Sequence, residues 1–109
     1  MRSFEVLLTN SAASDLDKII DYIGEHDSPE KAGYVLSEIE KVFGSLSTVP
    51  ERRSYPNELR NLGIRDYREV FFKPYRITYR IAGKRVYVLV IIDGRHDMQA
   101  LLQIRLFET

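Results

Sequence analysis

The sequence predicts an α+β fold, and two observations predict it. Apolar residues recur at spacings of three and four in two stretches before Pro50, and from Tyr67 onward the period becomes two. Helices gathered in one half of a chain and strands in the other define that class. At 109 residues the expectation is one domain spanning 1–109, with room for one core.

Each element has a local reason. Phe4 to Leu8 reads as a short strand, and Thr9 offers its hydroxyl as the N-cap of a helix. Leu16, Ile19, Ile20 and Ile23 then share one face, while Asp15, Asp17 and Asp21 suit the positive end of the helix dipole. Residues 24–27 end this helix. Ser28-Pro29-Glu30 restarts one: serine caps, proline takes the first helical position and glutamate complements the dipole. Ala32, Val35, Leu36, Ile39, Val42, Phe43 and Leu46 form its stripe, and Pro50 stops it. Two such helices with a short connection form an antiparallel pair, and neither can bury its stripe alone.

Residues 51–66 read as irregular, broken by Pro56, Asn57, Asn61 and Gly63, and they carry Arg52, Arg53, Arg60 and Arg65. A loop of that length in a small domain is expected to be functional or mobile. Beyond it, Val70 and Phe72 alternate with Glu69 and Phe71, and Pro74 breaks the ladder. Tyr75, Ile77, Tyr79 and Ile81 then alternate with Arg76, Thr78 and Arg80. Residues 82–85 form a hairpin turn. Val86 to Ile92 is apolar on both faces, which predicts a central strand. Asp97 is placed to cap a last short helix carrying Met98, Leu101, Leu102 and Leu106.

Composition narrows the chemistry. There is no cysteine, so disulfides and thiolate metal sites are excluded. The longest apolar run is far too short to cross a bilayer, and the first residues lack a signal peptide's apolar stretch, which predicts a cytoplasmic protein. Net charge is zero but unevenly spread. Residues 1–50 hold four bases against nine acids, a net of −5, and residues 51–109 hold twelve bases against seven acids, a net of +5. The basic half suits an acidic partner or a phosphate backbone.

Few side chains are equipped for reaction. There is no P-loop, dinucleotide glycine pattern or nucleophile elbow. His26 falls at a helix end, where a cation suits the dipole. His96 follows a buried strand between Arg95 and Asp97, where an imidazole can serve as acid or base. Arg76, Thr78 and Arg80 share one sheet face, joined by Arg68 if register allows, and a row of guanidinium groups suits phosphate. The competing use for these arginines is pairing with Glu69, with Asp66 or with acids on a partner. Tyr67 and Tyr87 are placed to stack bases, whereas Tyr75 and Tyr79 lie on the core face. No cofactor or metal is expected.

In order and spacing the chain resembles the ParE/RelE superfamily of toxins from type II toxin–antitoxin pairs. The resemblance rests on residues 9–22 with Asp15-Leu16 and Tyr22-Ile23, a second helix ending in Leu46 and Pro50, Leu59-Arg60, Tyr67-Arg68-Glu69, residues 74–80 and Asp93-Gly94-Arg95-His96-Asp97. It implies a helical hairpin packed on a small, mainly antiparallel sheet, and a cognate antitoxin whose extended or helical tail neutralises the toxin. RelE-like members cut messenger RNA on the ribosome, whereas ParE-like members poison DNA gyrase. Arg68 and Arg76 match basic positions that hold phosphate in the RelE-like pattern, and His96 stands where that pattern has an arginine. Val70, Phe71 and Phe72 occupy the place of a further basic residue, and Leu101, Leu102 and Gln103 the place of a tyrosine. The resemblance therefore favours a ParE-like gyrase inhibitor without chemistry of its own. The alternative is a ribosome-dependent endoribonuclease, with Arg68 and Arg76 on the scissile phosphate, His96 as acid or base and Arg95 assisting. A third reading is a non-toxic homologue that meets operator DNA only through its antitoxin.

Overall fold

The computed structural model describes residues 3–94 and 98–106. Strand β1 (Glu5–Leu8) runs directly into helix α1 (Asn10–His26), whose N-terminus is closed by Thr9: its Oγ1 accepts from the Ala12 N–H at 3.1 Å. Helix α2 (Pro29–Leu46) starts as its sequence demands, with Ser28 Oγ accepting from the Lys31 N–H at 3.0 Å, Pro29 in the first turn and Glu30 beside it. The two helices pack against each other and against one sheet.

That sheet has the order β1-β4-β3-β2, with β2 (Tyr67–Phe72), β3 (Tyr75–Ala82) and β4 (Arg85–Asp93) antiparallel in sequence and β1 parallel to β4. The doubly apolar strand β4 is indeed interior. Its turn from β3 is two residues long, and Gly83 takes φ +63°, a conformation that suits a tight hairpin and that side chains resist. One face of the sheet meets the helical pair: Val70, Ile77, Tyr79, Val86, Val88 and Ile91 pack on Ala12, Val35, Ile39 and Leu46. The other face is partly covered by two short helices, α3 (Asn57–Arg60) and α4 (Met98–Leu106), which close Leu59 and Leu102 over Leu89 and Val90.

A bulge explains how β4 serves both cores. Thr78 pairs with Val90 but Tyr79 pairs with Val88, so Leu89 is an extra residue and the facing pattern changes parity there. Val86 and Val88 face the helical pair before it, and Ile91 does so after it. β1 ends at Leu8, leaving the far edge of β4 unpaired by strand. Side chains take over: the Ile91 N–H donates to Asp15 Oδ2 at 3.0 Å and Arg105 Nη1 donates to the Leu89 carbonyl at 2.8 Å. Arg105 and Asp15 also pair directly, at 2.7 Å.

The segment over residues 51–66 corrects the expectation of an irregular loop. It holds a 3-10 turn at Pro50–Arg52, a single bridge from Ser54 to Glu69 on β2, and α3. Buried Leu59 and Pro56 hold it to the sheet. Tyr55, Leu59, Leu62 and Ile64 fall at spacings of four, three and two in a stretch rich in breakers and sustain no single period, so packing rather than local propensity makes this structure. Among the described residues no helix is long and apolar enough to cross a membrane, and no group of His, Asp and Glu could hold a metal ion.

Candidate functional site

Arg76 lies on the sheet face covered by α3. Its guanidinium is held by two carboxylates: Nε and Nη2 donate to Glu69 Oε2 at 3.1 and 2.7 Å, and Nη1 and Nη2 donate to the two oxygens of Glu58, both at 2.9 Å. The cluster is enclosed, with the Arg76 side chain 14% exposed and that of Glu69 5%. One positive charge thus meets two negative ones. Hydrogen bonding from Arg76 holds the Glu58 carboxyl below the usual carboxylate range, and hydrogen bonding to Glu58 drives the Arg76 pKa further above its own. Four of the five N–H donors of this arginine are committed, so the bidentate grip that would suit a phosphate is taken by Glu58.

Arg68 is on the opposite face. It pairs with Tyr79, while Arg76 pairs with Phe71. Its Nη1 donates to the Arg53 carbonyl at 2.9 Å, its Nη2 to the Tyr55 hydroxyl at 3.1 Å, and its guanidinium lies 4.6 Å from the centre of the Tyr55 ring. Arg53 donates from Nη2 to Ser45 Oγ at 3.1 Å, and Arg65 approaches the same Tyr55 ring at 5.9 Å. Below this cluster Tyr79, fully buried, donates its hydroxyl to the Pro50 carbonyl at 2.5 Å. Burial pushes its phenol up to about 12, against the opposing influence of Arg68 and Arg53. Arg80 shares the Arg76 face but lies over Tyr87 at 5.1 Å, and Thr78 Oγ1 between them is buried with no partner among the described residues.

The expected row of Arg68, Arg76 and Arg80 is therefore not brought together. The turn between β2 and β3 decides this. Two residues, Lys73 and Pro74, connect the strands, so paired residues have numbers of opposite parity. Arg68 and Arg76 are both even and must face opposite ways. His96, Arg95 and Asp97 lie outside the described residues. The chain reaches them from Gly94, whose N–H donates to the Pro74 carbonyl at 2.9 Å and where a Cβ would meet the stem of Arg76. His26 ends α1, with Nδ1 at 3.1 Å from the Tyr22 carbonyl and its ring stacked on Tyr22. The residues that sequence reasoning missed are Glu58, Tyr55 and the Asp15–Arg105 pair. Glu58 carried one legible hint, an acid just after Pro56-Asn57, where a helix can begin.

The family model described as the ParE toxin of the type II toxin–antitoxin system parDE matches residues 6–98. The chain belongs to the ParE toxin family. Toxin ParE3 of Caulobacter vibrioides is 33% identical over 97 residues, which is 89% of this chain and 93% of that protein. Among solved structures, the chromosomal ParDE TA system from P. aeruginosa superposes with a TM-score of 0.70 at 23% identity, covering 84% of this chain and 96% of that one. The toxin–antitoxin complex RelBE2 from Mycobacterium tuberculosis gives 0.55 at 25% identity, covering 84% and 98%. The higher TM-score comes with lower identity, as expected when a ParE-family fold is kept by burial pattern rather than by particular side chains.

Proposed function

We propose that this ParE-family protein arrests growth by binding and inhibiting DNA gyrase, without bond-making chemistry of its own, and that a cognate antitoxin neutralises it. The observation that carries the reading is the fate of Arg76: an arginine matching a phosphate-holding position is locked between Glu58 and Glu69, while Arg68 is turned to the other face. Phosphodiester cleavage needs donors convergent on one developing charge, and these two do not converge. The formal neutrality of the chain points the same way, because binding to ribosomal RNA draws on a large positive excess. Membership of a family defined by toxin–antitoxin pairs supports the antitoxin, and both structural relatives are by title toxin–antitoxin systems.

A gyrase supercoiling assay with antitoxin-free protein tests the proposal. We expect loss of supercoiling with trapped cleaved DNA. Normal supercoiling by a folded protein that still stops growth would defeat the gyrase reading and transfer attention to messenger RNA on the ribosome, with His96 and Arg76 the first residues to substitute.

A further inference from the structure

On the sheet face that carries Arg76, successive rows of paired residues open toward the turn between β3 and β4. Directly opposed residues share a face, so the pairing fixes each row. Glu69, Thr78 and Val90 form one row and are buried, with Leu59 and Leu102 closed over its β4 end. Tyr67, Arg80 and Tyr87 form the next, and all three are partly exposed. Tyr67 packs its side against the Leu59–Leu102 cluster, and beyond Tyr87 the row continues to Leu7 on β1. Ala82, Arg85 and Glu5 form the last row, in which Arg85 and Glu5 are exposed. The cover supplied by α3 and α4 thus runs out at the row that holds two tyrosines and an arginine.

Arg80 differs from its neighbours on this face. Arg76 is held by two carboxylates, and Arg85 pairs with Glu5 at 3.2 Å. Among the described residues no carboxylate, carbonyl or hydroxyl accepts from Arg80, whose guanidinium rests over the Tyr87 ring at 5.1 Å. A guanidinium laid on a ring is held in place while its N–H edge stays uncommitted. Tyr67 and Tyr87 flank it two strand spacings apart, about 10 Å. Exposed Lys84, in the turn beyond, has no ion pair with any described residue.

From the uncommitted guanidinium, the two flanking rings and the unpaired lysine together, we infer that this open sheet surface binds a short stretch of single-stranded nucleic acid, one base lying on Arg80 between Tyr67 and Tyr87 and a phosphate meeting Lys84. Flat bases and phosphates alternate along such a strand, and stacking on aromatic and guanidinium planes accepts any base. A duplex hides its base faces and does not fit. A peptide gains little here, because strand amides and carbonyls point within the sheet and not out of its face. A second copy of this chain, meeting the same row, would set Arg80 against Arg80. Few phosphates are engaged, which agrees with a chain of zero net charge. The role is binding without cleavage. The inference rests on the gyrase reading only for the source of the strand, DNA opened by that enzyme rather than messenger RNA.

The test titrates the antitoxin-free full chain with a short oligothymidylate, an oligouridylate of equal length and a blunt DNA duplex, reading fluorescence anisotropy and the ring resonances of the tyrosines. Single strands should bind at least about tenfold more tightly than the duplex and shift the rings of Tyr67 and Tyr87, while those of Tyr22 and Tyr34 on the helical pair stay still. Arg80→Gln, its folding checked by its melt, should weaken binding about tenfold, the scale of one stacked base. Arg52→Gln, at the β2 side of the molecule, should leave it unchanged. The logarithm of the affinity should fall against that of the salt concentration with a slope of about −1.4, the value for two phosphates on a single strand. Tighter binding of the deoxy strand would assign the source to DNA and of the ribo strand to messenger RNA. No single-strand binding, equal binding of the duplex, still rings at Tyr67 and Tyr87, or equal losses in Arg80→Gln and Arg52→Gln would overturn the inference. Inhibition of supercoiling by a protein that binds no single strand would remove it and leave the gyrase reading standing. Single-strand binding with supercoiling untouched would do the reverse.

Discussion

At the scale of single residues, the decisive contact is Arg76 between Glu58 and Glu69. Arg76→Ala would leave the buried Glu69 carboxylate unpaired, and we expect a loss of about 3–5 kcal/mol in chemical unfolding. Glu58→Gln keeps the shape but only one of the two acceptors for Arg76, and should cost about 1–2 kcal/mol. An Arg76→Ala protein as stable as the parent would show the cluster to be incidental. The pairing also has a signed pH dependence. The folded Glu58 carboxyl titrates below its unfolded value of about 4.3. Its contribution is therefore present above that pH and is lost as pH falls through the folded pKa. Acid unfolding should accordingly lose part of its steepness in Glu58→Gln. Tyr79 behaves in the opposite sense. Its folded pKa of about 12 exceeds the ordinary 10, so its contribution is complete below pH 10 and disappears as pH rises through 12. In an alkaline absorbance titration, one of the seven tyrosines should ionise late, and Tyr79→Phe should remove that step.

At the scale of elements, α4 is joined to the rest by a bridge that spans nearly the whole sequence. Arg105 reaches Asp15 on α1 and the Leu89 carbonyl, while Asp15 also receives the Ile91 amide that lies beyond the end of β1. This pair completes a ladder that β1 leaves unfinished, so Asp15→Ala should cost about 2 kcal/mol, within the range for hydrogen bonds to a charged group. A double-mutant cycle with Arg105→Ala should show strong coupling, and the Ile91 amide should exchange faster in each variant. Independent effects of the two substitutions would refute the bridge. Sequence reasoning found the helices, their caps and the strand period here because those signals act over four residues or fewer. It did not find the bulge at Leu89, because a run of apolar residues suited to both faces carries no mark of where its parity changes. Nor did it find α3, whose one buried leucine is a helical signal only once the sheet is beneath it.

At the scale of the whole molecule, an acidic helical pair covers one face of a basic sheet, and α4 presents Ile104, 61% exposed, to solvent. Removing the last residues would also remove Arg105 and its bridge, so Ile104→Glu is the cleaner probe of that surface. In the supercoiling assay it should weaken gyrase inhibition about tenfold while the melt stays within a few degrees, the profile of an apolar contact residue lost at an interface. Full inhibition by the folded variant would place the gyrase-binding surface elsewhere. The α+β class, the two capped helices, the interior place of β4, the division of charge and the resemblance to ParE/RelE toxins are all written in the order of the residues. Each of these depends on composition or on residues close together in the chain. Which groups meet follows from the closed fold. The two-residue turn after Phe72 set Arg68 and Arg76 on opposite faces, α3 carried Glu58 onto Arg76, and the early end of β1 called Asp15 and Arg105 together from 90 residues apart. Those pairings depend on register and on what each buried charge can reach, and both are fixed only when the strands and helices have closed on one another.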